Sequence, residues 1–93
     1  MCVDEREYGV GTGMLKTKKI TPVDDHIAKR VRERRKAIRM TLQELASQLH
    51  VTFQQIQKYE AAANRIPASR LYEIAECLGV PINYFFEDYN RRR

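Results

Sequence analysis

Tryptophan is absent from this 93-residue sequence, and cysteine, proline and glycine are scarce, at two, three and four residues. Each shortage excludes something. Cys2 and Cys77 stand at no metal-ligand spacing with His26 or His50 and make no disulfide framework, which points to a reducing cytosol. No stretch approaches the ~20 apolar residues that span a bilayer, which excludes a transmembrane helix. The start, Met1 to Glu7, has no basic segment followed by an apolar run, so it is no signal peptide. No Ser/His/Asp set, metal cluster or pair of carboxylates converges, so the chain is expected to be no enzyme, with no cofactor and no metal.

What is present is charge and helical pattern. Hydrophobic residues make up 43% of the chain, too many for a wholly disordered protein, and charged residues 31%. The net charge is +5. Most of it lies in residues 21–40, where Lys29, Arg30, Arg32, Arg34, Arg35, Lys36 and Arg39 stand against Asp24, Asp25 and Glu33. A concentrated basic segment suits a polyanion, either nucleic acid or an anionic membrane surface. A solvated helix face is the plainer reading. The membrane surface is disfavoured because the apolar stripe of the same helix is needed in the core.

Residues 1–20 read as a flexible arm. Gly9, Gly11 and Gly13 alternate with Val10 and Thr12, but no strand precedes them and no helix opens directly after, so they form no phosphate loop. Residues 1–13 are also readable as an extension upstream of a start at Met14. Residues 21–89 read as one domain, and 90–93 as a basic tail. Thr21 and Pro22 open a first helix with Asp24 and Asp25 at its positive end. Its apolar stripe is Ile27, Val31 and Ile38, with Ala28 and Ala37 beside it. Thr41 to Glu44 and Thr52 to Gln55 are capping boxes for a second and a third helix. Pro67 and Ser69 open a fourth, which Gly79 stops. Pro81 can open a fifth. The expected fold is all-α, a compact five-helix bundle.

The second and third helices form a tight corner at His50-Val51. Small Ala46 allows close approach, and Leu45, Leu49, Val51 and Ile56 fill the angle. The stretch Leu42-Gln-Glu-Leu-Ala-Ser-Gln-Leu-His-Val-Thr-Phe-Gln-Gln-Ile-Gln-Lys-Tyr-Glu60 resembles the helix-turn-helix core of the phage-repressor and Cro type, often called XRE-type. Val31-Arg-Glu-Arg-Arg35 resembles the family's basic first helix. Leu71 to Phe86 resembles its fourth helix and the start of its fifth. The resemblance covers about residues 23–88 and implies a lambda-repressor-like DNA-binding domain in a bacterial or phage-encoded cytoplasmic protein. Three departures stand out. His50 replaces a common glycine, Leu42 replaces a glutamine that contacts a phosphate, and Ala61-Ala-Ala63 replaces Glu-x-Gly. His tolerates a left-handed turn better than most residues.

At about 100° per residue, Ile56 and Tyr59 define the inward face of the third helix. Gln54, Gln57, Lys58 and Ala61 then point away, with Phe53 at the flank. Gln suits adenine, Lys suits guanine and Phe suits a thymine methyl. The base-reading set is therefore Phe53, Gln54, Gln57 and Lys58, on a recognition helix at about 52–61. Alternatively, the glutamines are a solvated face and Phe53 packs on the second helix. Backbone contacts are expected from Thr41 and its amides, Gln43, Asn64, Arg65, Arg70, Arg34 and Lys36. Arg30 and Arg32 read as solubilising. By resemblance, Arg35 pairs with Glu60 in a structural salt bridge.

The expected function is sequence-specific double-stranded DNA binding by a transcriptional regulator, a repressor, acting as a homodimer on a two-fold operator. The dimer element is the fifth helix, through Ile82, Tyr84, Phe85, Phe86 and Tyr89. The alternative is an antitoxin or anti-repressor whose helices hold a protein partner.

Overall fold

Threonine hydroxyls start three of the four α-helices in the computed structural model, which describes residues 20–89. Helix α1 spans Pro22–Ala37. The Thr21 hydroxyl accepts from the Asp24 amide at 3.3 Å, and the Asp24 carboxylate accepts from the Thr21 amide at 2.9 Å. Helix α2 spans Leu42–Leu49 and repeats this reciprocal cap with Thr41 and Glu44, at 3.0 and 2.9 Å. Helix α3 spans Phe53–Glu60. Here the expected capping box is only half made. Thr52 accepts from the Gln55 amide at 3.1 Å, but the Gln55 side chain gives no return bond and lines a groove with Tyr59 and Asn64. Helix α4 spans Ala68–Leu78 and follows Pro67 with no side-chain cap.

The expected fifth helix is a 3-10 helix, Ile82–Phe86, so the bundle has four α-helices. Its turns close through Tyr84 N–H to Pro81 at 3.0 Å and Glu87 N–H to Tyr84 at 3.3 Å. Side chains of α1 hold the segment from outside. Arg30 donates to the Tyr84 carbonyl, and the His26 imidazole lies 2.7 Å from the Glu87 carbonyl. One short turn tied to another helix at both ends has no length over which to settle into α geometry.

All four α-helices stop in the same way, with one left-handed residue whose successor bonds back to the carbonyl five residues earlier. The left-handed residues are Arg39, His50, Ala62 and Gly79, with φ of 60°, 58°, 58° and 71°. The matching bonds run from Met40 to Arg35 (3.0 Å), Val51 to Ala46 (3.1 Å), Ala63 to Lys58 (2.9 Å) and Val80 to Ala75 (3.1 Å). His50 thus takes the left-handed turn expected of it. The Ala61-Ala-Ala63 loop keeps the path of a glycine stop without the glycine.

The core joins Val31, Leu45, Ala46, Leu49, Ile56, Tyr59, Leu71, Ile74, Ala75, Leu78 and Phe85. Each large aliphatic side chain contributes about 1.5–3 kcal/mol by leaving water. Ala46 is buried in the α2–α3 corner with Leu45, Leu49 and Ile56, and Val51 is half-buried beside them. The α1 stripe is corrected at its end. Ile38 and Ala37 are exposed, and Arg35 occupies the buried position there. The helix ends at Ala37, so Ile38 lies past the last turn that faces the core. Among the described residues there is no strand, and no helix is long and apolar enough to cross a membrane.

Candidate nucleic-acid interface

Helix α3 is held on one side and open on the other. Ile56 and Tyr59 are buried, while Gln54, Gln57 and Lys58 are exposed and Phe53 is half-buried. Its far end is clamped by Arg35, which donates through Nε and Nη2 to the two carboxylate oxygens of Glu60 at 2.7 and 3.0 Å. Arg35 Nη1 also donates to the Met40 carbonyl at 2.7 Å. Glu60 is the last residue of α3, where the helix dipole disfavours an anion, and the guanidinium offsets that as well as the burial. One clamp therefore fixes α3 to α1 and to the turn that leads into α2.

The candidate backbone residues are scattered around this helix in different states. Thr41 and Gln43 are exposed at the start of α2, with the Thr41 hydroxyl engaged on Glu44. The amides of Leu42 and Gln43 lie within the first turn, where a helix has no internal acceptor to offer. Asn64 is exposed. Arg65 has a half-exposed side chain whose Nε lies 3.1 Å from Asp24. Burial pushes the Asp24 carboxyl up. Hydrogen bonds from the Thr21 amide and hydroxyl and from Arg65, together with the Arg65 charge, hold it below its ordinary value.

Two arginines expected at phosphates are engaged within the protein. Arg34 donates through Nε to the Leu78 carbonyl at 2.9 Å, on the C-terminus of α4. Arg70 donates through Nη1 to Glu73 at 2.7 Å and to the Leu49 carbonyl at 3.4 Å, on the C-terminus of α2, and its Nε is buried with no partner. Lys36 is exposed on α1. Leu42 is half-buried against the core.

Sequence reasoning missed Arg30 and His26. Arg30 donates to the Tyr84 carbonyl at 3.1 and 3.0 Å and to Glu87 at 3.2 Å, with its guanidinium 3.9 Å above the Tyr84 ring. His26 also meets Tyr89, with ring centroids 5.4 Å apart. The available signal was their i, i+4 spacing on one side of α1. Of the proposed dimer set, Phe85 is fully buried and has no surface to offer a second copy. Ile82 and Phe86 are 40% and 44% exposed, and Tyr84 and Tyr89 are half-buried.

Cys77 lies at the edge of α4. Burial pushes its thiol up, as do the charges of Glu73 and Glu76, so it is no activated nucleophile. No group of metal-binding side chains forms among the described residues.

A short helix clamped at one end, packed by its inner face and polar on its outer face, in a corner with the helix before it, defines a helix-turn-helix domain. The comparisons agree. A helix-turn-helix family model matches residues 31–85. A transcriptional regulator in the ATPase CF(0) region of Rhodospirillum rubrum is 55% identical over 75 residues, covering 81% of this chain and 69% of that protein. An HTH-type transcriptional regulator of Sinorhizobium medicae is 49% identical over 71 residues, covering 76% of this chain but 51% of its own length. The chain thus spans about half the length of that second relative. The crystal structure of the clp gene regulator ClgR from Corynebacterium glutamicum shares the fold, with a TM-score of 0.71 at 16% identity over 80% of this chain and 79% of that one. The chain belongs to the XRE-type helix-turn-helix family of transcriptional regulators.

Proposed function

We propose that this domain binds a specific two-fold DNA operator as a homodimer, with α3 in the major groove, and acts as a repressor. The observation that carries the reading is the outer face of α3. Gln54, Gln57 and Lys58 are exposed opposite Ile56 and Tyr59. These side chains match the edges of adenine and guanine, and half-buried Phe53 stands where a thymine methyl can be touched. Thr41 and Gln43, with the open amides of α2, supply phosphate contacts, as do Asn64 and Arg65.

One eight-residue helix reads only a few base pairs, so specificity requires a second copy. Exposed Ile82 and Phe86 supply the apolar centre of the dimer contact, with Tyr84 and Tyr89 at its rim. A dimer covering an operator competes with other proteins for that duplex, which is the simplest route to repression. The work is done where the chromosome is, in the cytoplasm.

Selection of genomic fragments with the purified protein, followed by footprinting and sedimentation, tests the reading. The expected result is a two-fold consensus with half-sites about one helical turn apart, bound by two copies. Fragments without a shared motif, or a single copy on each site, overturn it.

A further inference from the structure

Apart from buried Arg35, the basic side chains of α1 fall on two sides of the helix, and the two sides are used differently. His26, Arg30 and Arg34, spaced four apart, face the C-terminal segment and the end of α4, and each has a carbonyl acceptor there. Lys29, Arg32 and Lys36, spaced three and four apart, share another, exposed side. Arg39, also exposed, lies two residues past the helix end. None of these four side chains has a hydrogen bond or ion pair with another described residue. The acids near them are Asp25 at the N-terminal end of the stripe, Glu33 on its flank, 4.0 Å from Arg30, and Glu60, which is paired with Arg35. Like charges at three- and four-residue spacing repel one another. A polyanion lying along the stripe would relieve that repulsion.

The stripe is continuous with the outer face of α3. Arg32 lines a shallow groove with Leu42, Gln57 and Ala61, and the neighbouring groove with Lys29, Lys36 and Glu60. In the first groove Leu42 offers no polar group and Arg35 is locked on Glu60, so Arg32 is its available cation. Lys29 and Lys36 are seven helical steps apart, about 10 Å along the helix axis. Neighbouring phosphates on one DNA strand are farther apart than their axial rise of about 3.4 Å, and a stripe of this length reaches about two of them.

We propose that Lys29, Arg32, Lys36 and Arg39 form a track for the sugar–phosphate backbone beside the base-read half-site, with Arg32 as the member nearest the recognition helix. The track rests on the DNA-binding reading above and extends its footprint from α3 along the length of α1. It carries no sequence information, because phosphates are the same at every base pair.

The test uses sheared mixed-sequence duplex DNA, to which binding is electrostatic. Affinity is measured against salt for the parent, for Arg32→Gln, for Arg32→Lys and for the fourfold variant with Gln at all four positions. The parent slope is expected to be steep. Arg32→Gln should make it shallower by about 0.9 and the fourfold variant by roughly 3–4, while Arg32→Lys should stay close to the parent. Melting should hold in every variant. Ethylation interference on the selected operator should lose phosphate positions in the fourfold variant while its base preferences persist. A steep parent slope that the fourfold variant retains in full overturns the track and leaves the DNA-binding reading standing. A parent that binds no duplex overturns both.

Discussion

Arg35 and Glu60 lie 25 residues apart in the chain and meet through two parallel hydrogen bonds with both side chains nearly out of water. Removing one partner leaves the other charged and buried. Arg35→Ala and Glu60→Ala should each destabilise the domain by roughly 3–5 kcal/mol. Arg35→Lys should also lose stability, because an ammonium cannot bridge both oxygens. A double replacement by Met and Leu should melt closer to the parent than either alanine variant. Urea denaturation of the parent and the four variants checks the order.

The helix stops make a paired prediction of opposite sign. Ala62 holds a left-handed conformation that costs an L-residue roughly 1–2 kcal/mol. Ala62→Gly should therefore stabilise the domain by about 1 kcal/mol and raise its melting point by several degrees. Gly79→Ala should do the reverse. The added Cβ would meet only Arg34 Nη2, at an ordinary 3.8 Å, so the loss is conformational rather than steric. Thermal melting of the two variants side by side decides it.

On the outer face of α3, Gln54→Ala and Lys58→Ala should each relax preference at one operator position by about 1–3 kcal/mol. Neither should change melting, since both side chains are exposed and neither has a hydrogen bond or ion pair among the described residues. Binding to an operator library with single base-pair changes is the measurement. Uniform weakening across the library would mean that α3 is not the reading head.

Acid should loosen the start of α1. The Asp24 carboxyl is held below its ordinary value of 3.8. A lowered folded-state value means stability that is present above 3.8 and lost as pH falls through the folded-state value. Asp24→Asn should therefore be less stable than the parent near neutrality. The difference should shrink below about pH 4. Melting temperature against pH for both proteins provides the check.

Helix starts were legible because Thr21, Thr41 and Thr52 act on amides only three residues away, and three-residue effects are visible in a sequence. The α2–α3 corner was legible for a related reason, as Leu45, Ala46 and Leu49 on α2, and Ile56 and Tyr59 on α3, each stand at three- or four-residue spacing within their own helix. The arginines were harder to read. Sequence shows the charge of Arg30, Arg34 and Arg70 but not the carbonyls that the ends of α2 and α4 and the Tyr84 turn bring beside them. Those acceptors are 54, 44 and 21 residues away. The fifth helix was misread because Ile82 to Phe86 has helical periodicity over a single turn, too short to distinguish 3-10 from α.

Arg30, Arg34, Arg35 and Arg65 share one further property, for each donates through Nε. That nitrogen sits part-way along the side chain, with no counterpart in lysine. A version of the domain recoded with lysine at these four positions would keep its net charge near neutrality and the field a distant duplex feels. It would lose the lateral bonds that hold α1 to α3, to α4, to the loop before α4 and to the C-terminal turn. Charge is interchangeable at long range, but at these four seams the shape of the arginine side chain is not.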